Sequence, residues 1–255
     1  MTFVLLAAGV AVAGPLEDGR AAYARGDFAE AALQYRLAAG EGIAEAQHYL
    51  GVMYQAGRGV VQDYAEAHRW YGLAVAQGYA PAQNNLGLLY ELGRGVPVDY
   101  LEARRLYVLA ADQGYAPAQN SLGWIYDEGL GVEEDNEEAV RWYTLAAEQG
   151  LADAQNNLAA MYAYGQGVTR SFTEAARWQK MAADQGYAIA QYNLGMMYTT
   201  GRGVPRDIVL AYLYFALAAA QGDTDALIRR DSTARLMTET QLAEGARLVR
   251  EWPSG

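Results

Sequence analysis

The hydrophobic and polar positions of this chain repeat with a period of 36 residues. Glycine marks the same phase of the pattern at residues 42, 78, 114, 150, 186 and 222. A fixed period between about 20 and 50 residues is typical of a solenoid, in which each unit buries its apolar face only against its neighbours. We therefore predict five full units between residues 42 and 221, forming one elongated domain with a continuous core.

Apolar residues recur at helical spacing in two segments of the unit 78–113. The first segment carries Ala82 and Leu89 on one face, and Pro81 suits its first turn, where a missing N–H leaves no hydrogen bond unmade. Gly93 then ends the segment, because glycine readily takes the left-handed conformation that reverses the chain. Each unit is thus predicted to begin with one helix, helix A, followed by a tight loop.

The second segment opens with Asp99 and Glu102, an N-cap acceptor with a carboxylate three residues on, which predicts a capping box. Ala103, Leu106 and Tyr107 then share one face of a second helix, helix B. Because nearly every repeat has an aromatic residue at the position of Leu106, we interpret these rings as core packing rather than as a ligand site. The capping pattern recurs at Asp27/Glu30, Asp63/Glu66, Asp135/Glu138 and Ser171/Glu174, and it fails at Asp207/Leu210.

The unit A-x-A-Q-x-x-L-G-x-x-Y-x-x-G-x-G-V-x-x-D-x-x-x-A-x-x-W-Y-x-x-A-A-x-Q-G resembles the Sel1-like repeat, a relative of the tetratricopeptide repeat. The resemblance implies an all-α fold, an α-solenoid wound as a right-handed superhelix of antiparallel helix pairs. Local departures are Ala159 in place of glycine, Ser171 in place of aspartate and Gln179 in place of tyrosine. The five repeats are 42–77, 78–113, 114–149, 150–185 and 186–221.

Both ends of the array depart from the repeat. Residues 19–38 resemble the tetratricopeptide pattern itself, with a shorter loop, so residues 14–41 are predicted to form an N-terminal capping hairpin. At the other end, Thr238 and Gln241 predict a new capping box with no glycine loop before it. Residues 222–255 are therefore predicted to be C-terminal capping helices, which a solenoid needs to stay soluble.

Residues 1–13 contain an apolar run that is shorter than the roughly 20 residues needed to span a bilayer. The run ends in Ala11-Val12-Ala13, the small-x-small form of a signal-peptidase site. We therefore predict a signal peptide cleaved after Ala13 and a periplasmic or secreted protein. The alternative is a cytoplasmic protein with an apolar N-terminal tip.

Composition argues against several classes of function. The net charge is −11 with no basic run, so the chain lacks the electrostatic footprint of a nucleic-acid-binding protein. Without cysteine there is no lipid anchor and no thiolate metal site, and neither a nucleophilic serine motif nor H-E-x-x-H occurs. His48 is expected at a surface or groove position and His68 on an exposed part of helix B. We predict no enzyme activity, no catalytic residue, no cofactor and no metal.

Helical geometry separates the core face of helix A from a candidate binding face. If Ala82 and Leu89 face the core, then positions 84, 88 and 91 lie on the opposite side. The family resemblance implies that this side lines a concave groove. The predicted groove residues are His48, Val52 and Gln55; Asn84, Leu88 and Glu91; Asn120, Trp124 and Asp127; Asn156, Ala160 and Ala163; Tyr192, Met196 and Thr199.

A row of three amides runs through these groove positions. Asn84, Asn120 and Asn156 each carry a donor and an acceptor, so together they could hold the backbone of an extended peptide, with Trp124 as an apolar anchor. Alternatively, the amides bridge adjacent hairpins. The sequence leaves both possibilities open.

We therefore predict a non-enzymatic protein interaction scaffold in the bacterial cell envelope. We expect it to bind a protein or an extended peptide in the concave groove. Family resemblance implies adaptor or regulatory roles in signalling and names no partner. Two alternatives remain, a hydrolase of cell-wall or β-lactam substrates and a structural subunit of a membrane-associated complex. No stable membrane insertion is expected, and the oligomeric state is not predicted.

Overall fold

The structure is a computed structural model that describes residues 14–253. Within this range every regular element is an α-helix, fourteen in all, so the predicted α-solenoid is confirmed. The predicted signal peptide, residues 1–13, lies outside the described residues. None of the described helices combines the length and the apolar character that crossing a bilayer requires.

The chain divides into two compact units, residues 1–110 and 111–255. The first contains α1 (Pro15–Ala24), α2 (Phe28–Gly40), α3 (Ala44–Ala56), α4 (Tyr64–Val75), α5 (Ala80–Leu92) and nearly all of α6 (Tyr100–Ala111). The second contains α7 (Ala116–Asp127), α8 (Asn136–Glu148), α9 (Ala152–Tyr164), α10 (Phe172–Asp184), α11 (Ala188–Thr200), α12 (Ile208–Ala220), α13 (Thr224–Ala234) and α14 (Glu239–Glu251). Odd-numbered helices from α3 to α11 are helix A of a repeat, and the helix after each is helix B.

Side-chain caps begin the B helices where the sequence predicts them. The carboxylate of Asp63 accepts the backbone N–H groups of residues 65 and 66, and the Ser171 hydroxyl accepts that of residue 174. The glutamates three residues on have another role than the predicted capping box. Glu138, for example, binds the guanidinium of Arg141, one turn further along α8. The complete reciprocal box forms between Thr238 and Gln241 at the start of α14.

Alanine and aromatic side chains make the core, as predicted. Tyr71 and Tyr143 are almost completely buried, and Trp142 and Trp178 are only 8% and 5% exposed. The guanidinium of Arg141 lies over the face of the Trp142 ring, with its carbon 4.1 Å from the ring centroid. The aromatic residues of the B helices are therefore packing residues.

Glycine on helix A lets the tyrosine of helix B approach its backbone. A Cβ atom at Gly123 would lie 2.5 Å from ring carbons of Tyr143, a distance that requires the ring to move. The same pairing holds for Gly51 with Tyr71. In the repeat made of α9 and α10 both partners change together, because Ala159 replaces the glycine and Gln179 replaces the tyrosine.

A buried glutamine near the start of helix A joins neighbouring repeats. Gln155 is 1% exposed, and its Nε2 donates to the carbonyl oxygen of Ala147 at the end of the preceding helix B, 3.1 Å away. Its Oε1 accepts from Nε2 of Gln185, at 2.8 Å. Gln155 thus binds the backbone of the preceding repeat and the glutamine that follows helix B of its own repeat. The same two bonds form at Gln47, Gln119 and Gln191.

Gln155→Leu is expected to lower the free energy of unfolding by about 1–2 kcal/mol, because it leaves buried polar groups with fewer partners. Urea unfolding followed by circular dichroism measures the change. The matched control is Gln166→Leu, the same substitution at an exposed glutamine in a loop, which should cost less than half as much. Equal losses in the two variants would contradict a bridging role for Gln155.

The array ends in helical pairs that differ from the repeat. α1 packs on α2, and α12 contacts both α13 and α14. On α14, Gly245 is buried against the ring of Tyr212, whereas Leu242 is 38% exposed. The limits predicted for the two caps remain predictions.

Candidate protein-binding surface

The predicted groove positions of helix A, called the groove face below, are mostly half-buried. Leu88, Trp124, Tyr192 and Met196 all retain part of their surface. Trp124 also packs against the core that contains Tyr143, so it is a partly exposed wall residue rather than a freely projecting anchor. These positions offer apolar surface at the level of the helix backbones.

His48 is an exception and requires a correction. The repeat pattern predicts a surface or groove position for it, but its side chain is buried and 8% exposed. The rings of Tyr49, Tyr71 and Tyr79 surround it, with centroids 5.4 to 5.8 Å away. Its Nε2 lies 3.0 Å from Nδ2 of Asn85. Burial lowers the pKa of His48 to about 4, so the ring is neutral at pH 7.

The groove carboxylates are held by tyrosines of their own repeats. The hydroxyl of Tyr107 donates to Oε2 of Glu91 at 2.7 Å, and that of Tyr143 lies 3.5 Å from Oδ2 of Asp127. Burial raises the pKa of both carboxyl groups. Gln55 accepts from Tyr71 in the same way. These hydrogen bonds therefore hold the polar side chains of the groove face in place in the absence of a partner.

The amide row makes hydrogen bonds between repeats. In the second unit, Nδ2 of Asn157 donates to Oδ1 of Asn120 at 3.1 Å, and Nδ2 of Asn193 donates to Oδ1 of Asn156 at 3.3 Å. In the first unit, Nδ2 of Asn84 contacts Oδ1 of the neighbouring asparagine at 3.3 Å. The alternative in which the amides bridge hairpins is therefore observed at Asn120 and Asn156. Whether these residues also contact a peptide stays a prediction.

Two clefts open on the groove face at equivalent positions, one in each unit. The first, of about 320 Å³, lies between α3, α4 and α5 and is lined by Val52, Gln55 and Tyr71. The second, of about 610 Å³, lies between α9, α10 and α11 and includes Ala160 and Met196. The larger volume falls within the range of about 300 to 1,000 Å³ that is typical of ligand pockets.

Sequence reasoning missed several residues of the larger cleft. Phe172, Arg170 and Arg202 lie at its edge, and Gln179 lies in its wall. A signal was present, because Gln179 is one of the departures from the repeat, but its consequence depends on which residues share a wall with it. His68 was expected to be exposed, and it is half-buried with its Nε2 2.9 Å from the hydroxyl of Tyr90. In the part of the chain that the structure describes, no group of three or more metal-binding side chains forms.

Comparison with known proteins decides the family. Five consecutive segments match the model of the Sel1 repeat, at residues 44–79, 80–115, 116–151, 152–187 and 188–223. The chain belongs to the Sel1 repeat family. The matched frame begins two residues after the one we read from the glycines, with the same period of 36 residues. Proteins built from Sel1 repeats generally act as protein interaction scaffolds.

Several solved structures resemble this Sel1 repeat protein. A Sel1 repeat protein from Oxalobacter formigenes is 28% identical, with a TM-score of 0.78, and the match covers 96% of this chain and 98% of that one. The c5321 protein, a protective antigen present in uropathogenic Escherichia coli strains, is 30% identical with a TM-score of 0.57. That match covers 93% of this chain and 60% of the antigen. The immunity protein Pa5087 from Pseudomonas aeruginosa, 20% identical with a TM-score of 0.57, shares the fold over 79% of this chain and 81% of its own. The search of curated proteins gives no match.

Proposed function

We propose that this Sel1 repeat protein binds an extended segment of a partner protein on its groove face, in the bacterial cell envelope. The observation that carries the proposal is the pair of clefts at equivalent places in two repeats. The core aromatic and alanine side chains are closely packed, yet the groove side of these repeats keeps open, partly apolar recesses. A partner side chain placed in such a recess would bury apolar surface without disturbing the helix pairs.

Charge and polar contacts support a protein partner. The net charge of −11 disfavours nucleic acid, and the half-buried amides and carboxylates of the groove face present hydrogen-bonding groups at helical intervals. Envelope location rests on residues 1–13, whose apolar run and Ala-x-Ala ending suit export. The scaffold role requires no chemistry from the chain itself.

Site-specific photo-crosslinking tests the proposed binding face. A crosslinking amino acid at Trp124, on the groove face, is expected to give a specific adduct in the native host. The matched control is Leu145, a residue of helix B in the same unit that is 37% exposed. Adducts of equal yield from both positions would argue against recognition by the groove face. Mass spectrometry of the same samples checks the start of the mature chain, which is expected at Gly14.

A further inference from the structure

The cleft between α9, α10 and α11 is a widened copy of the cleft in the first repeat. Eight of its lining positions lie 108 residues, or three periods, after the eight positions that line the smaller cleft. The volume nevertheless rises from about 320 to about 610 Å³. The residues at these equivalent positions differ between the two clefts.

Three of the eight equivalent positions carry smaller or narrower side chains in the larger cleft, whereas Tyr164 and Arg170 replace the smaller Ala56 and Gln62. The three reductions from the first repeat to the fourth are Val52 to Ala160, Gln55 to Ala163 and Tyr71 to Gln179. In the first repeat the hydroxyl of Tyr71 donates to Oε1 of Gln55. Because both residues are replaced in the fourth repeat, the space opens and neither group of this hydrogen bond is left without its partner. The fourth repeat is thus open at the point where the other repeats are filled by their own tyrosine or, in the fifth repeat, by Phe215.

One polar atom in this wall has no partner. Gln179 is 5% exposed, and its Nε2 donates to Oδ1 of Asn156 at 3.2 Å. Its Oε1 is buried and accepts no hydrogen bond from residues 14–253. A buried acceptor without a donor costs free energy, so a bound N–H group would be favoured here. The wall of the cleft therefore offers one specific acceptor.

Two arginines flank the mouth of the cleft in an otherwise acidic protein. The guanidinium carbons of Arg170 and Arg202 each lie 5.6 Å from the ring centroid of Phe172. Neither forms an ion pair within the described residues 14–253, although many other arginines of the chain do. Their charges are therefore available to an anionic group, and guanidinium groups suit a carboxylate.

We propose that this cleft is the anchor site for a partner segment that carries a large apolar side chain beside an aspartate or glutamate. The apolar side chain occupies the space bounded by Ala160, Ala163 and Met196. The carboxylate binds Arg170 and Arg202, and a backbone N–H of the segment donates to Oε1 of Gln179. The inference rests on the proposed function and adds the chemistry of the partner.

Selection of random 12-residue peptides displayed on phage tests the anchor site. Peptides enriched on the full wild-type protein are synthesised with a fluorophore, and their affinities are measured by fluorescence polarisation. Enriched sequences are expected to share a large apolar residue next to an acidic one. Ala159→Gly with Gln179→Tyr restores the pair found in other repeats and fills the cleft, so it should weaken binding at least 10-fold. Ala160→Leu, which copies Leu88, fills the cleft independently and should act in the same direction.

Charge is tested separately with a matched control. Arg170→Gln with Arg202→Gln should weaken binding of the acidic peptides at least 10-fold. Arg229→Gln with Arg235→Gln removes the same charge at two exposed residues outside both clefts and should change affinity less than 2-fold. Circular dichroism verifies that each variant is folded.

The outcomes separate this inference from the proposed function. If peptides are enriched but bind the filled-cleft variants as tightly as the wild type, or lack an acidic residue, the anchor site is wrong and the scaffold function stands. If no peptide is enriched while a small apolar carboxylate such as 3-phenylpropionate binds the cleft, a small molecule is the occupant and the anchor site is wrong. If neither binds, the proposed function fails as well.

Discussion

Gly123→Ala is expected to lower the free energy of unfolding by about 3 kcal/mol, because the added methyl group overpacks a closed interface. The new Cβ would lie 2.5 Å from two ring carbons of Tyr143, whose side chain is 1% exposed and has no free space to enter. Urea and thermal unfolding followed by circular dichroism measure the loss. At this chain length it corresponds to a fall in Tm of roughly 6–12 °C.

The fourth repeat supplies the test of this explanation. There Ala159 stands where the other repeats have glycine, and Gln179 stands where they have tyrosine or, in the fifth repeat, Phe215. Gly123→Ala and Tyr143→Gln should therefore be coupled, so that the double variant is more stable by about 2 kcal/mol than the sum of the two losses. Simple additivity would contradict a steric origin.

Gly72→Ala is the matched control for the backbone effect of the substitution. Gly72 also lies inside a helix, α4, but a Cβ atom there would meet no atom within 4 Å. Since alanine favours the helix over glycine, this variant should be more stable by about 0.5–1 kcal/mol. Changes of opposite sign in the free energy of unfolding of the two variants would separate the effect of helix propensity from that of packing.

The helices could be predicted closely from the sequence because the repeat presents the same signals five times. Pro81 lies in the first turn of α5, and the helix gives way at Gly93, whose φ of 64° places it in the left-handed region. The hydrophobic period and the capping residues together predict such helix boundaries, because both depend only on residues close in sequence. The aromatic core could be predicted for the same reason, because an aromatic side chain that recurs in nearly every repeat occupies an equivalent packing site in each.

The candidate site was less predictable, because the burial of a side chain and its contacts with other helices depend on the tertiary structure. A helical wheel places His48 and Asn84 at equivalent positions, yet His48 is buried among rings from its own and the following repeat, whereas Asn84 is half-buried. The large cleft shows the same limit. Gln179 is visible as a departure, but its effect appears only when the hairpin brings it beside Ala160 and Ala163, 19 and 16 residues earlier in the chain.

The stability of the protein is expected to fall as the pH drops from about 6.5 to 4, and His48 accounts for a separable part of the loss. Burial among Tyr71 and Tyr79 lowers the pKa of His48 to about 4, while the charge of Glu45 acts weakly in the opposite direction. In the unfolded chain the imidazole has its ordinary pKa of about 6.5. Between these values the unfolded state binds the proton and the folded state does not, so acid favours unfolding.

His48→Asn isolates this contribution, because asparagine occupies the equivalent position at Asn84, Asn120 and Asn156 and is therefore compatible with the helix pair. Between pH 7.5 and pH 4.5 the wild type should lose about 2.5 kcal/mol more of its free energy of unfolding than the variant. Urea unfolding at the two pH values measures the difference, and the carboxylates common to both proteins cancel. Parallel losses in the two proteins would mean that His48 takes up its proton equally well in the folded state, which the closed ring environment does not allow.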